Sequence, residues 1–131
     1  MLSYQHSYHA GCLADVHKHA LLSVLLTALT QKDRPISYLE THAGRGIYDL
    51  SSPESLKTGE AQDGIIAIQE QGVFPIDHPY QRALLSVQER YGKTVYAGSP
   101  GIARALLRPQ DELYLMELHP QEVRYLKRNF R

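Results

Sequence analysis

Apolar positions are concentrated in two stretches near the beginning of the chain. From about Ala14 to Thr30 they recur at helical spacing on two adjacent faces, which predicts a helix that is buried on most sides. Residues Pro35 to Leu39 follow with β-branched, aromatic and aliphatic side chains, and they predict a buried strand. We therefore expect the chain to begin its fold with a helix and a strand.

The middle of the chain, from Leu50 to Gly98, has a different pattern. Ala61 to Gln71 has the apolar spacing of a helix, and a second helix begins at Asp77-His78-Pro79 and ends at Gly92. A short strand is predicted only at Val95 to Ala97. This stretch is therefore interpreted as a helical insertion and not as a separate domain.

The last part of the chain returns to alternating helix and strand. Ser99 suits a helix N-cap and Pro100 suits the first helical position. Leu113 to Leu118 predict the second strong strand, which ends near Glu117, and a basic helix follows it. The predicted parts of the domain are residues 1–49, the insertion 50–97 and residues 98–131.

Composition narrows the possible classes of protein. The 131 residues are enough for one domain with a core. Fourteen basic and fourteen acidic side chains cancel, so a nucleic-acid partner would need a local basic patch or further sequence. The single cysteine, Cys12, excludes an internal disulfide and fits a reducing cytoplasm. Because the apolar run Ala20 to Leu29 is too short to cross a bilayer, we expect a soluble cytoplasmic protein with no membrane partner.

The end of the first predicted strand has the features of a nucleotide-binding loop. Glu40 follows the strand, and Gly44-Arg45-Gly46 would let the backbone turn sharply and approach a ligand. Glu117 could accept hydrogen bonds from both hydroxyls of a ribose. It lies 117 − 46 = 71 residues beyond Gly46, so the insertion has to leave the sheet and return. An ordinary tight loop and a carboxylate paired with a nearby base are the structural alternatives.

Histidines near the start of the chain indicate a second kind of site. His6, His9, His17 and His19, with Asp15, could supply ligands to zinc or another transition metal. However, His17 and His19 are two residues apart on a predicted helix and point to different sides. No zinc signature supports such a site, so we predict no bound metal. The first turns of this helix instead favour an anion such as a carboxylate or a phosphate.

Short motifs occur in order along nearly the whole chain: Ser3-Tyr4-Gln5-His6-Ser7-Tyr8-His9-Ala10-Gly11, Ala14-Asp15-Val16, Lys18-His19, Thr41-His42-Ala43-Gly44-Arg45-Gly46, Thr58-Gly59-Glu60, Gly98-Ser99-Pro100 and Glu117-Leu118-His119-Pro120. Together they resemble the motifs of the RlmJ-type 23S ribosomal RNA adenine-N6 methyltransferases. The chain departs from the family pattern at Gln5, Cys12 and His17, where Arg, Asn and Leu are usual, and the missing Arg removes a possible phosphate contact.

This resemblance implies an α/β fold of the class I methyltransferase (Rossmann-like) type, with a helical subdomain inserted after the first βα loop. It implies that S-adenosylmethionine is the cofactor and that an adenine N6 in 23S ribosomal RNA receives the methyl group. Tyr4 would contact the RNA. The residues expected at the cofactor are Lys18, His19, His42, Ser99 and Glu117, beside Gly44 and Gly46 of the loop.

The family's Asp-Pro-Pro-Tyr motif, whose aspartate holds the target amine, does not occur in these 131 residues. We therefore expect an N-terminal part of such an enzyme, with an incomplete sheet, no catalytic residue and no activity by itself. Its unpaired strand edge predicts self-association. Two other classes stay open, a noncatalytic nucleoside-binding module and a histidine-based metal-binding protein.

Overall fold

The computed structural model describes residues 3–131, which form a mixed α/β structure of six α-helices and four short strands. A 3-10 turn at His6–Tyr8 precedes them, and a π-helical segment at Gln62–Ile66 lies between α2 and α3. In chain order the elements are α1 Leu13–Leu29, β1 Ser37–Glu40, β2 Ile47–Asp49, α2 Pro53–Thr58, α3 Ala67–Glu70, α4 Pro79–Tyr91, β3 Val95–Ala97, α5 Ser99–Leu106, β4 Glu112–Leu115 and α6 Pro120–Asn129.

The strands form two separate pairs. Strand β1 pairs with β4 in parallel, with Glu40 opposite Leu115. Strand β2 pairs with β3 in antiparallel orientation, with Ile47 opposite Ala97. Because β1 and β4 are parallel, the loops that follow them meet at one edge, where the Ala43 N–H donates to the Met116 carbonyl at 2.9 Å. Strand β4 ends earlier than predicted, which places Glu117 in this loop.

The hydrophobic core surrounds β2 and β3. It includes Tyr48 and Tyr96 from these strands, Ile102 from α5, and the buried face of α4. Helix α4 begins at Pro79 as predicted, and His78 caps it by accepting from the Tyr80 N–H. Strand β2 was not predicted, since three residues give too little pattern to identify a strand.

The expectation that α1 is buried on most sides is wrong. Val16, His19, Ser23 and Leu26 face the interior, but a broad apolar face on the other side of the helix is open. None of the helices in residues 3–131 combines the length and the apolar character that crossing a membrane requires. The exposed apolar residues of α1 are Leu13, Leu21, Val24, Leu25 and Leu29.

The prediction of a buried first strand is also wrong. Ser37 and Leu39 of β1 are exposed, while Tyr38 and Glu40 are only half-buried. The apolar side chains of β1 therefore form a surface that is able to pack. Within residues 3–131, however, no element covers the outer side of this surface.

The helix predicted from Ala61 to Gln71 is interrupted. Gly64 has non-helical backbone angles, φ −106° and ψ −115°, inside the π-helical segment. A Cβ atom at Gly64 would lie 2.0 Å from the Gly11 carbonyl oxygen. Glycine therefore allows the N-terminal turn to pack directly on this segment, where the Ile65 N–H donates to Gly11. The division of the chain into residues 1–49, 50–97 and 98–131 stays a prediction.

Candidate functional site

A cavity of about 430 Å³ lies at the edge where β1 and β4 end. Its wall is built from the N-terminal turn, α1, the loop after β1, the start of α5 and the loop after β4. The structure brings together seven of the eight residues predicted for cofactor or RNA binding. They are Tyr4, Lys18, His19, His42, Gly44, Ser99 and Glu117.

Glu117 is fixed by two backbone amides on the cavity wall. Its Oε1 accepts from the Gly44 N–H at 2.8 Å, and its Oε2 accepts from the His119 N–H at 2.8 Å. Among residues 3–131, its hydrogen-bond partners are thus backbone groups and not the basic side chain considered as an alternative. Each carboxylate oxygen can accept a second hydrogen bond, so the group can still receive hydroxyl donors from a ligand.

The two glycines of the loop have different surroundings. Both need positive φ, +66° at Gly44 and +79° at Gly46. A Cβ at Gly44 would lie 2.3 Å from the Tyr48 hydroxyl, which also lines the cavity. A Cβ at Gly46 would lie 2.3 Å from the Phe130 ring, away from the cavity lining. The structure therefore places Gly44 at the cavity and Gly46 in the packing behind it.

Arg45, between these glycines, faces a buried carboxylate instead of the cavity. Its Nε donates to Glu122 Oε2 at 2.8 Å and its Nη2 donates to Oε1 at 2.6 Å. The guanidinium also lies 4.0 Å from the centre of the Tyr125 ring. This two-point ion pair connects the loop after β1 to the first turn of α6. No local sequence signal could have identified it, because the partners are 77 residues apart.

His19 is buried at the inner end of the cavity. Its Nδ1 lies 2.7 Å from the Tyr96 hydroxyl, which lies 2.9 Å from the Tyr80 hydroxyl. Burial lowers the pKa of His19 to about 4, and the positive charge of Lys18 acts in the same direction, whereas the Asp15 carboxylate opposes it. At neutral pH His19 is therefore an uncharged hydrogen-bonding group.

Ser99 does not cap α5, contrary to the prediction. The N-cap is Gly98, and the Ser99 hydroxyl donates instead to Glu40 Oε1 at 2.5 Å. Burial raises the pKa of Glu40, although this hydrogen bond opposes the rise. The hydroxyl proton of Ser99 is thus used by the protein, so that its oxygen is the part that can accept from a ligand.

The N-terminal turn forms the mouth of the cavity. The Tyr4 hydroxyl lies 2.7 Å from His6 Nδ1, and His6 Nε2 lies 2.7 Å from the buried Asp15 carboxylate. His9 is bonded to Glu60 at 2.7 Å. Within residues 3–131, no three His, Cys, Asp or Glu side chains are grouped as a metal site would require. These contacts give the N-terminal histidines a structural role in holding the turn.

His42, which was predicted at the cofactor, lines the cavity; it is exposed, and its Nδ1 lies 2.9 Å from the Thr41 hydroxyl. His119 also lines the cavity but was not identified as a site residue from the sequence. His119 caps α6 by accepting from the N–H groups of Gln121 and Glu122. Its position before Pro120 was the one local signal available, because a cap residue followed by proline is typical of a helix start.

Comparison with known proteins identifies relatives over most of the chain. The family model described as "RsmJ: Ribosomal RNA large subunit methyltransferase D, RlmJ" matches residues 33–131. The chain is 44% identical to "Ribosomal RNA large subunit methyltransferase J" of Escherichia coli K12 over 99% of its own length and 47% of that protein. It is 46% identical to the Haemophilus influenzae protein of the same name, again over 99% of its length and 47% of that protein.

A solved structure agrees with these matches. The crystal structure of protein LPL1258 from Legionella pneumophila superimposes with a TM-score of 0.76 and 42% sequence identity. The match covers 91% of this chain and 44% of that protein. The chain thus spans about half the length of the curated relatives it matches.

Proposed function

This chain belongs to the family of the ribosomal RNA large subunit methyltransferase RlmJ, and we propose that its cavity is the S-adenosylmethionine site of a longer enzyme. The proposed activity of the longer enzyme is transfer of a methyl group to an adenine N6 in 23S ribosomal RNA. The observation that carries the proposal is the position of Glu117, fixed at the edge where two parallel strands end. Ligands of open α/β sheets bind at this edge, and the pair β1–β4 would belong to a class I methyltransferase sheet.

The donors and acceptors of the cavity fit this cofactor. Glu117 presents an acceptor suited to the two ribose hydroxyls. Lys18 and His19 line the same cavity and can donate to a carboxylate, with Lys18 supplying the balancing positive charge. The volume of about 430 Å³ lies in the usual range for small-molecule sites. A ligand with a ribose diol and an amino-acid end meets both sets of groups.

This part of the enzyme would bind and orient rather than catalyse. When bound, S-adenosylmethionine supplies an electrophilic methyl group on a positively charged sulfur. The residues present here would fix the cofactor so that the methyl group is aligned with the incoming amine, and such alignment contributes much of the rate. The sequence contains no Asp-Pro-Pro-Tyr motif to hold that amine. We therefore propose that the chain does not methylate RNA by itself.

The charges that would meet RNA phosphates lie on α6. The net charge of the chain is zero, yet three basic residues lie on this helix and a fourth is residue 131, just after it. The acid of the same helix, Glu122, is already paired with Arg45. Such a local basic patch can bind the phosphate backbone, while Tyr4, 65% exposed, lies at the cavity mouth. The four residues are Arg124, Lys127, Arg128 and Arg131.

The RNA contact can be tested by salt dependence. Binding of a short 23S ribosomal RNA hairpin should weaken with salt, and Arg128→Gln should reduce the salt slope by about 1. Arg90→Gln, an exposed arginine on α4, is the matched control and should leave the slope unchanged. Equal slopes for the Arg128 variant and the unsubstituted chain would remove α6 from the RNA interface.

Cofactor binding can be tested by calorimetry with S-adenosylhomocysteine. Glu117→Gln keeps an oxygen for the Gly44 N–H but loses the charge and one acceptor. We expect affinity to fall by about 10-fold or more, since a hydrogen bond to a charged group contributes about 1.5–3 kcal/mol. Glu112→Gln, on β4 outside the cavity, should bind like the unsubstituted chain.

Two outcomes would count against the proposal. Unchanged affinity in Glu117→Gln would remove the ribose role of this residue. Adenosine binding as tightly as S-adenosylhomocysteine would favour a noncatalytic nucleoside-binding module, because Lys18 and His19 would then contribute nothing to recognition.

A further inference from the structure

Three polar side chains form a buried chain behind the cavity. His19 comes from α1, Tyr96 from β3 and Tyr80 from the first turn of α4, and all three are at most 1% exposed. His19 Nδ1 and the Tyr96 hydroxyl are 2.7 Å apart, and the two tyrosine hydroxyls are 2.9 Å apart. Within residues 3–131 neither hydroxyl has another hydrogen-bond partner. The protons of these two hydrogen bonds are therefore shared among His19, Tyr96 and Tyr80 alone.

Counting protons decides the direction of the two hydrogen bonds. If His19 Nδ1 accepts, Tyr96 donates to it and Tyr80 donates to Tyr96, so that both hydroxyl protons are used. If Nδ1 carries a proton and donates, Tyr96 has to accept, and one of the two hydroxyl protons then has no acceptor. Since a buried donor without an acceptor is costly, the first arrangement is favoured.

We propose that Tyr96 is a positioning residue that holds His19 in the tautomer protonated at Nε2. The Nε2 atom has no partner within residues 3–131, and His19 lines the cavity. The cavity is thereby offered an uncharged N–H donor beside the charged donor of Lys18. A carboxylate is the chemical group that best fits this pair.

The neutral state of His19 supports this assignment. Burial holds the pKa of His19 near 4, so the doubly protonated ring, in which both nitrogens donate, is not formed at neutral pH. Tyr80 and Tyr96 both lie within the predicted insertion, residues 50–97. The predicted insertion would therefore act on the cavity from behind, through Tyr96 and the tautomer of His19, although neither tyrosine lines the cavity.

The tautomer can be measured directly in the unliganded chain. Long-range ¹⁵N–¹H correlation spectra at neutral pH distinguish a protonated ring nitrogen from an unprotonated one. We expect His19 to be protonated at Nε2, in at least about tenfold excess over the Nδ1 form, because the alternative leaves a buried donor unpaired. A His19 ring protonated mainly at Nδ1 overturns the proposal without any variant being made.

Three variants separate positioning from packing. Tyr96→Phe removes the donor to Nδ1 and should lower the tautomer ratio by about tenfold. Tyr80→Phe should keep the ratio, because the Tyr96 proton still has Nδ1 as its acceptor. Tyr91→Phe is the matched control, since the Tyr91 hydroxyl donates to the Asn129 carbonyl and touches none of the three groups. An unchanged ratio in folded Tyr96→Phe contradicts the role given to Tyr96.

The proposed contact between His19 and a ligand carboxylate rests on the proposed function, whereas the proposed tautomer of His19 does not. Titration with S-adenosylhomocysteine should shift the His19 Nε2–H resonance, and the Tyr96→Phe variant should bind more weakly. If the ligand does not bind at all, the proposed function fails while the tautomer measurement still decides the present inference. If it binds without moving the Nε2–H resonance, the contact between His19 and the carboxylate is wrong.

Discussion

Within residues 3–131, strands β2 and β3 lie in the hydrophobic core, whereas strands β1 and β4 contribute no residue to it. Ile47, Tyr48, Tyr96 and Ala97 of the first pair are all buried. In the second pair, side chains alternate between exposed and half-buried positions. Apolar burial can therefore account for the position of β2–β3 but not for that of β1–β4.

Polar contacts at both ends hold β1 beside β4. At one end, Asp111 accepts from the Ile36 N–H at 2.9 Å and from the Arg108 N–H at 2.8 Å. At the other end, Glu117 accepts from the Gly44 N–H, and Arg45 pairs with Glu122. The cavity lies at this second end, so the contacts that fix the open pair of strands also shape the candidate site.

Breaking the buried ion pair should give the largest effect. Glu122→Gln leaves the Arg45 charge buried without a counter-charge, and we expect the free energy of unfolding to fall by about 3–5 kcal/mol. The control is Glu60→Gln, whose partner His9 and whose own side chain are each 41% exposed, and it should cost less than about 1 kcal/mol. Urea unfolding of both variants checks this. Similar small losses would mean that β1–β4 does not depend on the pair.

Two neighbouring leucines on α1 test how much of the stability comes from apolar burial. Leu26 is 2% exposed, and Leu26→Ala should lower the free energy of unfolding by about 2–5 kcal/mol. Leu25 is 54% exposed, and Leu25→Ala should change it by no more than about 0.5 kcal/mol. Denaturant titration at low protein concentration measures both. A large loss for Leu25→Ala would show that the outer face is covered in solution.

Elements with a local signal could be predicted from the sequence. Helices α4 and α6 begin where a histidine precedes a proline, and α5 begins at Gly98-Ser99-Pro100, because these residues fix the backbone or satisfy free N–H groups. The burial of α1 could not be predicted in the same way. Apolar spacing shows which face of a helix is able to pack, but not whether a neighbouring element covers it.

The residues of the candidate site also differ in whether a local sequence signal identifies them. Glu117, Gly44 and His19 could be proposed because their motifs are local, and the structure places them around one cavity. The partner of Arg45 and the partner of His19 are each 77 residues away along the chain. Such pairings arise only when β3 and α6 have packed against the rest of the fold, so a single sequence contains no signal for them.

Acid should affect the two regions in separate steps. The pKa of His19 is about 4 in the folded chain, below its ordinary value of about 6.5, so the unfolded state binds more protons between these values. Stability should therefore fall as the pH decreases from about 6.5 to about 4, by about 3 kcal/mol at most. Urea unfolding at a series of pH values measures this loss, and His19→Gln should remove it.

The open pair of strands should respond only at lower pH. Hydrogen bonds from Arg108 hold the pKa of Asp111 below its usual range, although desolvation opposes them. A lowered carboxyl pKa contributes stability above the unfolded value, and this stability is lost as the pH falls through the folded value. The Ile36 amide, bonded to Asp111, should thus begin to lose hydrogen-exchange protection only below about pH 4, the ordinary value for an aspartate. Loss of that protection at pH 6 would contradict the separation of the two steps.

The smallest effect on the monomer is expected at the exposed apolar residues, where self-association stays a prediction. Leu39 of β1 is 59% exposed, and among residues 3–131 only β4 pairs with β1, so a second copy could pair with or pack against it. Light scattering should show an oligomer that dissociates on dilution. Leu39→Lys should shift it to monomer, since a charge on an edge strand opposes pairing, while changing monomer stability by no more than about 0.5 kcal/mol.

Leu56→Lys, on α2 and 65% exposed, is the control and should leave the association unchanged. A compact monomer at all concentrations would mean that β1–β4 is stable with polar contacts alone, and that its apolar surface requires no second copy.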